Sequence, residues 1–310
     1  RMDEAFTCHR RAIALDPQND LFWAGLAAIL ETIMFNSVED TFWQDLLQLL
    51  DRPTVSPSYV TRPIIRALRH HPDFLPILEA TGSCNRNTEF TYTDIEEPLS
   101  AIPLFLRLLE LTPIFDVEVE RMLTVLRRTM LRETTKGETN GKGMPFSAAL
   151  ALQCFTNEYV FPEMDEEKKA VETLQQKMAT LLGKGKHVPP AFVVALGAYR
   201  PLFSFSWAQK LSERKWPSTL NSVIKRQITE PRKEHSLRKL ISCITPIQNT
   251  VSQSVREQFE ENPWPLWIKT DIYFKSRSIG NILKGPPLYF DLGDYTSPES
   301  PEILIAGCGT

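Results

Sequence analysis

The sequence predicts a mostly α-helical protein whose last residues form one short strand and a glycine turn. Three observations support this class. Apolar residues recur at helical spacing in stretches between Asp3 and Glu261, proline and glycine become frequent from Pro263 onward, and a fully apolar run begins at Ile303. The 310 residues, 42% of them hydrophobic and 24% charged, suffice for about two domains with buried cores.

The charge balance and the cysteine pattern exclude several classes of protein. Lys and Arg number 35 against 38 Asp and Glu, a net charge of −3, which argues against a surface devoted to nucleic acid. Five widely spaced cysteines without a C-x-x-C pair suggest neither a disulfide framework nor a zinc site. The longest strongly apolar stretch, Leu21–Leu30, is too short to span a membrane. We therefore expect a cytoplasmic protein without a metal site or a membrane span.

Helical periodicity and capping residues predict a series of helices along most of the chain. In chain order they are Asp3–Leu15, Leu21–Phe35, Asp40–Leu50, a helix from Pro57 through Leu68, Leu99–Leu111, Asp116–Arg132, Phe146–Tyr159, Asp165–Leu182 and Val251–Glu261.

The helix over Asp116–Arg132 has the clearest pattern. Asp116 is suited to cap its start, and three arginines near its end complement the helix dipole: Arg127, Arg128 and Arg132. Its apolar residues recur at offsets of 3, 4, 7 and 11, which is one face of a helix; they are Val119, Met122, Leu123, Leu126 and Met130.

Proline and glycine predict helix ends and connections. Ser56 and Pro57 form an N-cap and first-turn pair, Pro63 should break or kink the helix that follows, and Gly183 should end the helix that begins at Asp165. Loops are predicted where the sequence is polar and aperiodic, over Thr81–Glu97, Thr134–Gly143 and Gly183–Pro190. The Pro- and Gly-rich stretch over residues 263–301 reads as a linker, and Glu302–Ala306 as a buried strand.

The amino-terminal 30 residues resemble the end of a tetratricopeptide array. Ala5, Ala12 and Pro17 stand where the second helix of such a repeat has two small packing residues and a terminating proline. Trp23 and Leu26 match the first helix of a following repeat. Three positions depart from the pattern, with His9 at an aromatic position and Ala27 and Met34 at glycine positions. An ordinary alanine-rich amphipathic helix explains the same residues without a repeat.

The carboxyl-terminal run ILIAGCGT is the most specific chemical signal. After the apolar residues, Gly307 and Gly309 lack a Cβ, so the main chain there can approach a ligand closely. The run resembles the first motif of class I S-adenosylmethionine-dependent methyltransferases. That resemblance implies a Rossmann-like α/β domain with S-adenosylmethionine as cofactor, and a cofactor site that includes Ala306, Gly307, Cys308, Gly309 and Thr310. Ile305 stands where many of these enzymes have an acidic residue.

The order of these features resembles bacterial proteins in which tetratricopeptide repeats precede a class I methyltransferase domain. The resemblance implies four parts: a repeat-like half-unit with capping helices at 1–50, a helical domain at 51–262, a linker at 263–301, and the first strand and glycine turn of the enzyme domain at 302–310. We expect the sequence to be a fragment cut at both ends, with no catalytic residue of its own.

Other interpretations fit these features of the sequence. The turn at Gly307 and Gly309 also fits the start of a dinucleotide-binding oxidoreductase, or a simple glycine turn. A helical interaction module without enzymatic activity would instead bind a protein or peptide partner through the repeat-like start.

A basic stretch lies between Lys210 and Lys239. It holds nine basic and three acidic residues, a local balance of 9 − 3 = +6. Without interleaved aromatic residues for base stacking, a solvated helix surface explains it better than a nucleic-acid site.

Overall fold

A computed structural model describes residues 2–82, 91–137, 144–240, 248–261, 268–269, 278–285 and 288–302. No strand occurs among these residues. The predicted mostly α class is therefore confirmed. In chain order the helices are α1 (Met2–Leu15), α2 (Asp20–Leu30), α3 (Asp40–Asp51), α4 (Pro57–Leu68), α5 (Leu75–Gly82), α6 (Tyr92–Ser100), α7 (Pro103–Leu111), α8 (Val117–Lys136), α9 (Met144–Thr156), α10 (Asp165–Gly183), α11 (Pro190–Gly197), α12 (Ala208–Ser212), α13 (Ser218–Ile224), α14 (Glu230–Arg238), α15 (Thr250–Glu261) and α16 (Ile279–Lys284).

The first two helices pack against each other across a short turn. Asn19 caps α2 by accepting a bond from the Leu21 N–H at 3.1 Å. The prediction that this helix extends to Phe35 is wrong, because α2 ends at Leu30. The Thr32 hydroxyl donates to the Ile29 carbonyl at 2.7 Å, and such a local bond competes with continuation of the helix.

Helix α4 begins as predicted but is not broken by its internal proline. Ser56 occupies the N-cap position and Pro57 the first turn. The expected break at Pro63 is wrong, since α4 continues to Leu68. Pro63 has no N–H to donate to the Tyr59 carbonyl, but Pro63 is itself buried, and its packing in the core compensates for the missing bond.

Helices α6 and α7 replace a predicted loop and a predicted single helix. Thr91 and Asp94 form a capping box that starts α6 inside the stretch predicted as a loop. The helix predicted over Leu99–Leu111 is two helices, because Pro103 occupies the first turn of a new one. The Thr-x-x-Asp pattern at residues 91–94 is a sequence signal for this helix start, but the polar composition of the stretch favoured a loop.

The two longest helices confirm their predicted starts. The Asp116 carboxylate accepts a bond from the Val119 N–H at 3.1 Å at the start of α8, and α10 begins at Asp165. Helix α10 also ends at Gly183 as predicted, and the positive φ, 64°, follows at Gly185. The end of α8 differs from the prediction, because the helix continues past Arg132 to Lys136.

Helix α9 lies at the centre of the molecule. It packs against α6, α7, α8, α11 and α13, and almost all of its residues are buried. An α-helix that is apolar all round is expected in such a position. The predicted extension to Tyr159 is wrong: α9 ends at Thr156, and Glu158 and Tyr159 adopt φ of 57° and 58°.

One hydrophobic core extends from Ile13 to Ile228. Near the end of this core, α13 continues through a π-helical turn (Lys225–Thr229) into α14, which has no buried residue. In the stretch predicted as a linker, α16 is a helix of 6 residues. Of the predicted strand, Glu302 is in no regular element, and residues 303–306 lie outside the described ranges.

Candidate functional site

The site that the sequence predicted cannot be located in the structure. Ala306, Gly307, Cys308, Gly309 and Thr310 all lie outside the described residues. Their role as a cofactor turn stays a prediction, and the polar chemistry that the structure does describe belongs to the helical region.

A buried arginine and a buried glutamate connect α8, α10 and the segment that follows α11. Arg127 is 1% exposed, and its Nη2 donates to the carbonyls of Pro162 at 2.9 Å and Phe161 at 3.3 Å. Its guanidinium carbon lies 4.1 Å from the centre of the Tyr199 ring. We call Arg127, Arg128, Glu167 and Tyr199 the arginine cluster. The expectation that Arg127 lies near the helix end and serves its dipole is wrong, because it is fully enclosed in the middle of α8.

Glu167 completes the arginine cluster. It is 4% exposed, and its Oε1 accepts from the Tyr199 hydroxyl at 2.5 Å. Its Oε2 accepts from the Met164 N–H at 2.9 Å and from Arg128 Nε at 3.2 Å. Burial opposes ionisation, but the bonds from Tyr199, Met164 and Arg128 outweigh it, so the pKa of Glu167 is lowered. Glu167 is therefore an ionised carboxylate at neutral pH.

A second polar cluster lies where α6, α8 and α9 meet, and it contains no cation among the residues that the structure describes there. Glu96 and Glu133 are 7% and 6% exposed. The Tyr92 N–H donates to Glu133 Oε1 at 2.6 Å, the Tyr92 hydroxyl is 2.8 Å from Ser147 Oγ, and Ser147 Oγ is hydrogen-bonded to Glu96 Oε1. We call Tyr92, Glu96, Glu133 and Ser147 the carboxyl cluster.

Neither cluster can receive a substrate as the chain is folded. Ser147 contacts a carboxyl group, which is the arrangement of a base-activated nucleophile, but Ser147 is 3% exposed. The thiol of Cys154 is buried, and burial raises its pKa to about 12, so it is not a thiolate at neutral pH. These groups therefore act on the fold and its protons rather than on a bound molecule.

The π-helical turn holds a third group of buried polar side chains. Gln227 is fully buried, and its Nε2 donates to the carbonyls of Ala151 and Gly197, each at 3.0 Å. Arg226 donates to the Glu110 carbonyl and, at 2.8 Å, to Thr156 Oγ1. The side chain of Arg226 thus meets the carboxyl-terminal ends of α7 and α9, where carbonyl groups lack helical partners. This turn joins α13 to the core.

The predicted basic stretch is only partly a solvated surface. Arg226 forms hydrogen bonds within the fold, and Arg214 donates to the Lys186 carbonyl at 2.8 Å. Lys225 pairs with Glu230 at 3.4 Å. The residues of α14, by contrast, are exposed or half-buried, so the solvated-surface interpretation fits that helix.

An open groove of about 440 Å³ lies on the outer face of α10 next to α11. Its lining includes no carboxylate, histidine or cysteine, and consists of Thr173, Gln176, Lys177, Thr180, Leu181 and Phe192. The groove therefore offers a contact surface without an acid–base pair.

The repeat-like start forms a tight helical pair. Trp23 is 1% exposed and its indole N–H donates to the Pro17 carbonyl at 2.9 Å. A Cβ on residue 25 would collide with the ring of His9, so Gly25 is what allows α1 and α2 to approach at this point. Sequence reasoning did not single out Gly25, although a glycine inside a helical pattern signals close packing.

Metal and membrane chemistry find no support in the part of the chain that the structure describes. No group of three or more His, Cys, Asp or Glu side chains there could hold a metal ion. No helix there is long and apolar enough to cross a bilayer.

Comparison with protein families, with curated proteins and with solved structures finds no match to this chain. Its function therefore has to be argued from its own residues.

Proposed function

We propose that this chain is the helical amino-terminal part of an S-adenosylmethionine-dependent methyltransferase, and that the cofactor turn of that enzyme is Ala306–Thr310. The observation that carries the proposal is the run from Ile303 to Thr310, in which four apolar residues lead into Gly307, Cys308 and Gly309. Apolar residues of this kind are typical of a strand buried on both faces, and glycines allow the main chain to contact a ligand.

The helical region supplies a framework to this proposed enzyme, and no catalytic group. Methyl transfer requires an acceptor nucleophile held in line with the sulfonium carbon. The polar clusters of the helical region are enclosed between helices, and the groove next to α11 lacks a general base in its lining. We assign the catalytic groups to the α/β domain that would contain the cofactor turn.

A second candidate is a protein-interaction module of the tetratricopeptide type. It is favoured by the close pairing of α1 and α2, in which Trp23 is buried and Gly25 faces His9. Repeats of this type stack helical pairs into a concave surface for a peptide. The two candidates are compatible, because such repeats can precede an enzyme domain. A third candidate, a dinucleotide-binding oxidoreductase, uses the same glycine turn.

Cofactor titration of the product of the intact gene tests these candidates. We expect calorimetry to show binding of S-adenosylmethionine, and Gly307→Val to weaken it at least about tenfold because a side chain would fill the space of the cofactor. Gly183→Ala is the matched control, since a Cβ there meets no atom within 4 Å. Residues 1–310 alone should bind the cofactor weakly, because the resemblance implies that the acidic residue for the ribose lies at the end of the next strand of the α/β domain.

The other results of this titration contradict the methyltransferase proposal. Binding of NAD(H) in place of S-adenosylmethionine favours the oxidoreductase. Binding of neither cofactor favours the interaction module. Micromolar affinity of residues 1–310 alone for S-adenosylmethionine contradicts the assignment of the remaining pocket to another part of the protein.

A further inference from the structure

The carboxyl cluster buries two acidic groups with only neutral hydrogen-bond partners. Glu96 contacts the Ser147 hydroxyl, and Glu133 contacts the Tyr92 N–H. Among the described residues, no lysine, arginine or histidine forms an ion pair with Glu96 or Glu133. An isolated carboxylate is costly to bury, and two that influence each other cannot both ionise readily.

The groups that face this cluster come from three helices. Helix α6 contributes Tyr92 and Glu96, α8 contributes Glu133, and α9 contributes Ser147 and, farther along, the thiol of Cys154. Burial raises the pKa of Tyr92 well above its ordinary value and that of Cys154 to about 12, so both are neutral at pH 7. Helix α7 also packs against α6, but its charged residues Arg107 and Glu110 pair with each other. The proton that matters is therefore the one on Glu96.

Burial raises the pKa of Glu96 from its ordinary value near 4.5 to about 7. The bond from Ser147 partly offsets this shift, and the charge of Glu133 adds to it. The two hydroxyls can serve both protonation states. When Glu96 is ionised, Tyr92 donates to Ser147 and Ser147 donates to Glu96. When Glu96 is protonated, it donates to Ser147 and the direction of the bonds reverses. The two states therefore differ in net charge and in the direction of the bonds, and the same three side chains form the chain of bonds in both.

We propose that Glu96 and Glu133 form a proton-operated switch that holds α6 against α8 and α9 when Glu96 is protonated and loosens α6 when that proton is lost. Because α6 is anchored at this end by Tyr92 and Glu96, a second negative charge beside Glu133 acts directly on its attachment. The folded protein binds the proton more tightly than the unfolded chain does. The stabilisation is therefore complete below about pH 4.5 and is lost as the pH rises through about 7.

Hydrogen exchange of the whole chain at several pH values tests the switch. After correction for the intrinsic exchange rate, we expect peptides that cover α6 to open more as the pH rises from about 6 to about 8, by up to about tenfold per pH unit for one linked proton. Glu96→Gln keeps the volume and cannot ionise, so the protection of its α6 should not change with pH. Glu97→Gln is the matched control, because Glu97 is the exposed neighbour on the same helix, and it should behave as the wild type.

A second variant separates the switch from a simple loss of packing. Glu133→Gln removes the neighbouring charge, which is one of the causes that raise the pKa of Glu96. The opening should therefore persist, with its midpoint moved to lower pH. Opening of α6 in the wild type that is independent of pH overturns the proposal, whatever the variants do. A pH dependence in Glu96→Gln equal to that of the wild type also overturns it.

Discussion

Glu167 and Glu96 are both almost fully buried in the same core, yet their surroundings shift their pKa values in opposite directions. Glu167 accepts bonds from Tyr199, the Met164 N–H and Arg128, and its pKa is lowered. Burial and the charge of Glu133 oppose ionisation of Glu96, and one bond from Ser147 favours it. The pKa of Glu96 is therefore raised to about 7. Burial alone therefore does not decide how a carboxyl group behaves; the number of donors around it and the sign of the nearest charge do.

The two clusters consequently contribute to stability over different pH ranges. The contribution of Glu167 is present above its ordinary pKa of 4.5 and is lost as the pH falls through its lower folded value. The contribution of Glu96 is present at low pH and is lost as the pH rises through about 7. The folded protein should therefore be most stable between these limits.

The largest expected effect comes from removing the cation of the arginine cluster. Arg127→Met keeps an apolar side chain of similar length but leaves Glu167 without its nearest buried cation and the carbonyls of Phe161 and Pro162 without a donor. We expect the free energy of unfolding in urea at neutral pH to fall by about 3–5 kcal/mol, as in other proteins where one partner of a buried ion pair is removed.

Arg128→Met is the matched control for this prediction. Arg128 lies next to Arg127 on α8 and also contacts Glu167, but its side chain is 36% exposed. We expect a loss of about 1 kcal/mol or less, because an exposed ion pair is screened by water. Equal losses for the two variants would show that the enclosure of Arg127 has no energetic consequence.

The sequence predicted the helices far better than it predicted these clusters. The apolar pattern of α8 located its start at Asp116, because a helix repeats every 3.6 residues and its buried face is visible in the sequence. Arg127 lies on that buried face, between Leu123 and Met130, and was interpreted instead as a charge that complements the helix dipole. A charged residue within an apolar stripe is the signal that was available, but its partners Glu167 and Tyr199 are distant in sequence and only the fold brings them together.

The end of α10 shows how far a local pattern carries. Gly183 was expected to end α10 and is its last residue, whereas the positive φ that often accompanies such a glycine falls on Gly185. Two glycines so close together give the same local signal. The proposed cofactor turn at Gly307 and Gly309 depends on sequence pattern alone, because it lies outside the described residues.

The second expected effect concerns the acid side of the pH profile. Glu167→Gln keeps the volume of the side chain but replaces one acceptor oxygen with an amide N–H₂ group. In one orientation this group faces the donors Met164 N–H and Arg128, and in the other it faces the Tyr199 hydroxyl, so at least one donor loses its acceptor. We expect a loss of about 2–3 kcal/mol at pH 7, since bonds to a charged group are among the stronger ones. The difference from the wild type should narrow as the pH falls through the folded pKa of Glu167, which is lowered from its ordinary value of 4.5. Urea unfolding between about pH 3 and pH 7 measures both quantities, and a difference that does not vary with pH would contradict the assigned charge.

The smallest expected effect compares the two tyrosine hydroxyls. Tyr199→Phe removes a donor to the ionised Glu167, whereas Tyr92→Phe removes one hydroxyl from a chain of neutral groups that ends at Glu96. We expect losses of about 1.5–3 kcal/mol and about 0.5–1.5 kcal/mol respectively, because a bond to a charged acceptor is stronger than a bond between neutral groups. Each variant is the control for the other, because both remove one hydroxyl oxygen from an almost fully buried ring. If Tyr92→Phe is the more destabilising at pH 6, where Glu96 is mostly protonated, then the carboxyl cluster carries more charge than its bonding pattern indicates, and the contrast between the two clusters is wrong.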